Sequence, residues 1–295
     1  MRTARGFGTE IGVGRTLRYV LEKLDYVLWK RAFLRFGVDP FLDINRLARD
    51  WRIAIRTVFD VGANVGETTV EALKAFPGAR IFAFEPHPET FKTLRNALSS
   101  KRAVLRNEAL GSEAGEIPMY EYGCSGDPAL ANSLVPNARQ TVLYGYQSTK
   151  RPIRCTRLDL FCEQNGIGDI DVLKIDVEGF ELSVLKGGES LLQSGRIRFV
   201  YFEFNDLYPL PGATGGSLLE IGDYLSALGF KLIATYTDQV HTGNEFFIVA
   251  NALFVRPVHA TACPNTMPTM SPRPWPADRQ QDIVTGTYGR TRSIG

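Results

Sequence analysis

Acidic residues that end apolar runs are the side chains best placed for chemistry in this chain. The run VLKI ends at Asp176, and Glu203 stands in FVYFEFN, flanked by Tyr201, Phe202 and Phe204. A carboxylate in such company needs a partner. Two carboxylates at the ends of adjacent strands could orient an acceptor hydroxyl and take its proton, or could hold a divalent cation that lowers the hydroxyl's pKa. A third metal ligand is not evident. Glu178 and Glu181 follow at the start of a helix, where exposed N–H groups favour acids, so capping accounts for them. Lys174 points either into the site or toward solvent. Of three histidines, His241 lies in the polar stretch TDQVHTGNEFF. It is read as a loop residue between the last two strands, with a near-neutral titration suited to removing a proton.

A second constellation concerns a ligand rather than a reaction. In TVFDVGANVGETTVEAL a β-branched run ends at Asp60 and passes through Gly62 and Gly66 into a helix. That placement suits a nucleotide-like ligand at the carboxyl edge of a parallel sheet. The dinucleotide fingerprint requires glycine two residues after Gly62, where this chain has Asn64. Gly62 is expected to let the backbone approach the ligand, and Gly66 to let the first helical turn press against it. The next strand, RIFAFEP, ends in Glu85, which can accept hydrogen bonds from both hydroxyls of a ribose. An acidic loop with a ribose carboxylate, and no pyrophosphate loop, fits S-adenosylmethionine, its cationic end approaching Asp60.

Short β-rich runs alternating with helical ones must position these groups. Strands are predicted at 57–61, 80–84, 103–107, 171–175, 198–204, 230–235 and 245–254, and helices at 65–76, 87–98, 158–164, 180–193 and 217–228. This is an α/β sandwich with a mostly parallel sheet and helices on both faces. Residues 117–157 break the rhythm and read as an insertion with a small strand pair that walls the substrate side.

Hydrophobic residues at 44% and charged residues at 22% exclude a wholly disordered chain. Net charge is only +2, which does not point to a nucleic acid partner. Residues 1–56 carry 12 Lys/Arg against 6 Asp/Glu, so a basic extension precedes an acidic body. Residues 1–50 are read as a helical extension, with one amphipathic helix over 13–36 and a shorter one in DPFLDINRLARD. The first helix is expected to pack on the body; contact with an anionic membrane surface is the alternative. Residues 51–256 form the main domain, and the proline-rich residues 257–295 are expected to be a disordered tail. Four cysteines without ligand spacing predict a reducing, cytoplasmic setting. No uncharged apolar run approaches membrane-spanning length.

VFDVGANVGETT, FAFEPHPETFKTLRNAL, RLDLF, LGFKL and above all IDVLKIDVEGFELSVLKGG resemble the FkbM family of S-adenosylmethionine-dependent methyltransferases. The resemblance covers roughly residues 55–255. It implies a Rossmann-like class I methyltransferase fold, a seven-stranded, mostly parallel sheet with the last strand antiparallel. It also implies O-methylation of hydroxyls on saccharides, glycolipids or other biosynthetic intermediates. By the same resemblance Asp60, Gly62, Asn64 and Gly66 belong to the cofactor loop, Glu85 takes the ribose, and Asn107 with Glu108 lies near the adenine. N-methylation of an amine is the nearest rival, and a non-catalytic lipid-surface adaptor a more distant one.

Overall fold

Central strands of a parallel sheet are covered on both faces, so their sequences read as continuous apolar runs. The computed structural model describes residues 34–122, 132–135, 148–204, 217–242 and 246–257, with backbone alone at 239–242 and 246–248. Strands β1 (Thr57–Val61), β2 (Arg80–Phe84) and β3 (Ala103–Arg106) are followed by a small outlying set. That set comprises β4 (Ala109–Leu110), β5 (Gly115–Tyr122) and β6 (Ser148–Thr156). The main sheet resumes with β7 (Ile170–Ile175), buried at all six positions, and β8 (Ile197–Phe204). It ends with β9 (Lys231–Thr242) and β10 (Phe246–Val255). The main sheet has the order β3-β2-β1-β7-β8-β10-β9. Its β10 runs antiparallel to β8 and β9, while the other pairs are parallel. This is the seven-stranded Rossmann-like arrangement of class I methyltransferases.

Seven helices flank the sheets among the described residues: α1 (Pro40–Asp50), α2 (Glu67–Ala75), α3 (Pro88–Ala97), α4 (Leu158–Gln164), α5 (Glu181–Gly187), α6 (Glu189–Gln193) and α7 (Leu218–Ala227). Their starts follow local chemistry. Asp39 accepts from Leu42 N at 2.8 Å ahead of Pro40, and His87 accepts from Thr90 N at 3.3 Å ahead of Pro88. On one sheet face Phe59, Phe82, Phe84 and Phe161 pack with ring centroids 4.9–6.0 Å apart. On the other, Val58, Ile81, Val172 and Phe199 pack with Phe41 and Ile44 of α1 and Ala72 of α2. Asp60 and Lys174 belong to this second face, because strand side chains alternate.

Several elements differ from the sequence reading. The helix expected over 180–193 divides into α5 and α6: a Cβ on Gly187 would lie 2.0 Å from Gly111 O, and one on Gly188 2.6 Å from Leu158 Cδ2. The expected strand pair is a three-stranded sheet, β4-β6-β5, with Ala109, Met119, Leu134, Ile153 and Cys155 as its core. His241 is not on a loop. It lies within β9 and pairs with Phe247 of β10. Only 250–255 of β10 pair with β8, so the hairpin runs on past the carboxyl end of β8, carrying the His241 backbone with it. Nearly all of the predicted amphipathic helix, and the tail from 258, lie outside the described residues. Residues 34–36 are described and are not helical. Among the described residues no helix is long and apolar enough to cross a membrane.

Candidate active site

Strand order reverses between β1 and β7, and α/β sheets bind ligands at the carboxyl ends of strands flanking such a reversal. A cavity of about 200 Å³ opens there, lined from β1 by Gly62 and Asn64, from β2 by Glu85 and His87, and from β7 and β8 by Asp176 and Glu203. The small sheet closes it with Ala109, Leu110 and Met119, joined by Asn132 and Leu134.

Asp60 does not line this cavity. Its Oδ1 lies 3.0 Å from Lys174 Nζ, and its Oδ2 accepts from Thr69 Oγ1 of α2 at 2.5 Å. Both charges are buried, at 1% and 4% exposure, so each is the other's main compensation. Burial alone would lower the Lys174 pKa, but Asp60 and then Asp176 outweigh it and hold the amine above its ordinary range. Lys174 also donates to Gly62 O at 3.0 Å and lies 3.6 Å from Asp176 Oδ2. The acid expected to meet the ligand's positive end is already spent on a lysine.

The two glycines answer to the protein before any ligand. A Cβ on Gly62 (φ +79°) would lie 1.7 Å from Asp176 O, so only glycine lets β1 turn beside the end of β7. A Cβ on Gly66 (φ +98°) would lie 2.7 Å from Leu94 Cδ1 of α3. Asn64 also adopts a left-handed conformation, φ +49°, and its N–H donates to Glu85 Oε2 at 3.0 Å. Glu85 Oε1 accepts from His87 N at 2.8 Å. Burial pushes the Glu85 carboxyl up to about 7 despite these two donors.

Asn107 and Glu108 stand away from the cavity wall. Asn107 Nδ2 donates to Glu85 O at 2.9 Å and Pro86 O at 3.0 Å, fixing the chain after β2, and Glu108 lies 3.5 Å from Arg106 Nε. Their neighbours Ala109 and Leu110 supply the wall instead.

Asp176 and Glu203 are brought together. Ile175 pairs with Phe202, so the next residue of each strand faces the other. Asp176 therefore disfavours ionising Glu203, as one carboxylate does to another in a shared site. Burial, then the neighbouring Asp176, Glu178 and Glu181, push Glu203 far above the usual carboxylate range. Glu181 clamps the turn before α5 rather than capping the helix, whose start has no side-chain cap: its Oε1 accepts from Val177 N at 3.0 Å and Gly179 N at 3.2 Å. Glu178 lines the cavity in a left-handed conformation, φ +55°. Among the described residues no three His, Cys, Asp or Glu side chains gather as a metal site.

Sequence reasoning passed over the cavity role of His87, whose Nδ1 contacts Thr90 Oγ1 at 3.1 Å and whose Nε2 contacts Glu121 Oε1 at 3.0 Å. Asn132 was hidden too, since nothing in an irregular segment marks which side chain turns inward.

Residues 60–232 match the model of the methyltransferase FkbM domain. The chain belongs to the FkbM family of S-adenosylmethionine-dependent methyltransferases. It is 33% identical over 217 residues to 31-O-demethyl-FK506 methyltransferase FkbM of Streptomyces tacrolimicus, covering 65% of this chain and 79% of that one. To the hexuronic acid methyltransferase AglP of Haloferax volcanii it is 32% identical over 196 residues, 65% and 72% of the two chains. To the 2-O-methyltransferase NoeI of Sinorhizobium fredii it is 29% identical over 155 residues, half of this chain and 63% of that one, so the match spans less than two thirds of NoeI. The FkbM-family cavity suits the cofactor. Asn64 Oδ1 and Asn132 Oδ1 are buried acceptors without a partner in cavity-lining residues, and a ligand with hydroxyl and amino donors, as this cofactor has, would supply what they lack.

Proposed function

We propose that this FkbM-family enzyme methylates a hydroxyl oxygen of a saccharide-bearing or related biosynthetic intermediate, with Asp176 and Glu203 facing that hydroxyl. The observation that carries this reading is the pair of carboxyls that the register of β7 and β8 brings together on the wall of the switch-point cavity. The relatives add support, since NoeI and FkbM are named for oxygen methylation and AglP for a sugar acid. Free, buried Cys155 and Cys162 are consistent with the cytoplasmic setting that we favour.

When bound, S-adenosylmethionine supplies an electrophilic methyl group on a positively charged sulfur. Glu85 and the Asn64 loop would hold its adenosine side, Glu85 through the ribose hydroxyls, with Ala109 and Leu110 as the wall for the base. The ionised member of the carboxyl pair accepts a hydrogen bond from the acceptor hydroxyl. The methyl group would pass from that sulfur to the hydroxyl oxygen, and the hydroxyl proton to the carboxylate and later to water. Holding the acceptor oxygen in place would contribute more than basicity. The small sheet and Met119 exclude water from the other side.

The test is incubation with methyl-labelled S-adenosylmethionine and a panel of sugars, uronic acids and amines, with mass spectrometry of the products. Label in an ether linkage is the expected result. Label found only on nitrogen would overturn the assignment.

A further inference from the structure

Two neighbouring carboxyls leave open which one is the base. We propose that Lys174 is a positioning residue that keeps Asp176 as the carboxylate facing the acceptor and leaves Glu203 as the protonated partner. This rests on reading the pair as the acceptor-side acid and base.

Three distances carry the inference. Lys174 Nζ is fixed on one side by Asp60 Oδ1 at 3.0 Å and on another by Gly62 O at 3.0 Å. From that position it reaches Asp176 Oδ2 at 3.6 Å. Asp176 directly follows β7, two residues after Lys174, and the ion pairs of Lys174 are with Asp60 and Asp176, none with Glu203. A cation beside one member of a carboxyl pair favours the negative charge on that member. Solvent acts in the same sense, because the Asp176 side chain is 39% exposed.

Charged groups face the pair from several elements. Glu178 and Glu181 press negative potential on Glu203 from the segment after β7, which disfavours ionising it. Burial, then Asp238, Asp176 and Glu203, raise the pKa of Tyr201 of β8, and burial and Asp176 raise that of Asp238 of β9. Lys174 feels Glu203 after Asp60 and Asp176, and Glu85 of β2 feels Lys174 as a positive neighbour. Asp60 does not compete for the proton at Asp176, because Lys174 and Thr69 occupy both its oxygens.

The arrangement gives the lysine a second consequence. Its bond to Gly62 O joins the backbone of the cofactor loop to the base, so displacement of that loop changes the field at Asp176.

The experiment is carboxyl carbon-13 NMR of the full-length protein without ligand at pH 7, assigned with Asp176→Asn and Glu203→Gln. In the wild-type protein the Asp176 signal is expected at the carboxylate position and the Glu203 signal at the acid position. Removing both buried charges together, in Asp60→Asn/Lys174→Met, should move the Asp176 signal toward the acid position with the circular dichroism unchanged. Lys174→Arg, which keeps the charge, should preserve the wild-type pattern and serves if the double variant does not fold. An Asp176 acid with a Glu203 carboxylate in the wild-type protein, or an unmoved Asp176 signal in a folded double variant, overturns the proposal. No acceptor or turnover is needed, so failure of methyl transfer to a hydroxyl is a separate result.

Discussion

The carboxylate of Glu85 accepts the backbone N–H of Asn64 at 3.0 Å, and this one bond ties the loop after β1 to the end of β2. A second bond, from His87 N at 2.8 Å, holds the other oxygen. The same side chain thus shapes two walls of the cavity. Glu85→Ala should weaken S-adenosylhomocysteine binding by ~1.5–3 kcal/mol, read by calorimetry, with Glu85→Gln losing less because its amide oxygen still accepts one N–H. Undiminished affinity in the alanine variant would remove Glu85 from the cofactor site.

Replacing either member of the carboxyl pair separates chemistry from binding. Asp176→Asn or Glu203→Gln should lower kcat ~10²-fold or more at saturating cofactor while leaving cofactor affinity nearly unchanged. Radiolabelled methyl transfer measures the first quantity and calorimetry the second. Near-normal turnover in both variants, with the true acceptor, would make the pair structural.

Gly62 offers the sharpest stability test. A Cβ there meets Asp176 O at 1.7 Å in a backbone conformation that disfavours side chains, so β1 and β7 must part to admit it. Gly62→Ala should cost more than ~4 kcal/mol, seen as insoluble protein or a collapsed melting temperature. A soluble variant with an unchanged Tm would show that the strands approach less closely.

Acidity should stabilise the ligand-free enzyme locally. Burial raises both Glu85 and Glu181 from 4.5 to about 7, so the folded state holds these protons more tightly than the unfolded chain. Their contribution is complete below pH 4.5 and is lost as pH rises through 7. Glu181→Gln should therefore stabilise the protein at pH 8, by ~1–3 kcal/mol, and change little at pH 5. The glutamine oxygen can still accept from Val177 and Gly179, while its amide replaces an oxygen that has no partner. Thermal melts at the two pH values decide it.

The sequence disclosed what depends on neighbours along the chain. Runs buried on both faces located β1 and β2 to the residue, and the helical stretches DPFLDINRLARD and 87–98 located α1 and α3 to within a residue. Asp176 and Glu203 could be paired in advance because each ends an apolar run. Contacts across the fold were not legible. Nothing beside Asp60 announces that Lys174 is its registered partner, so its charge was assigned to the ligand. Asn107 is a polar residue at a strand end, and only the approach of Glu85 O and Pro86 O shows what it holds. The interruption of 180–193 is set by Gly111, far away in sequence, and a polar stretch around His241 hid a strand whose partner is β10.

The bond between Lys174 and Gly62 joins residues 112 positions apart. Until β7 has been made, β1 lacks a neighbour on one side and Asp60 lacks its counter-ion. Closing so long a loop is an entropic cost that must be met before the buried pair contributes anything. On a ribosome, therefore, the amino-terminal strands emerge as an edge with an uncompensated acid, and the binding cleft is born late, when Lys174 leaves the exit tunnel and docks.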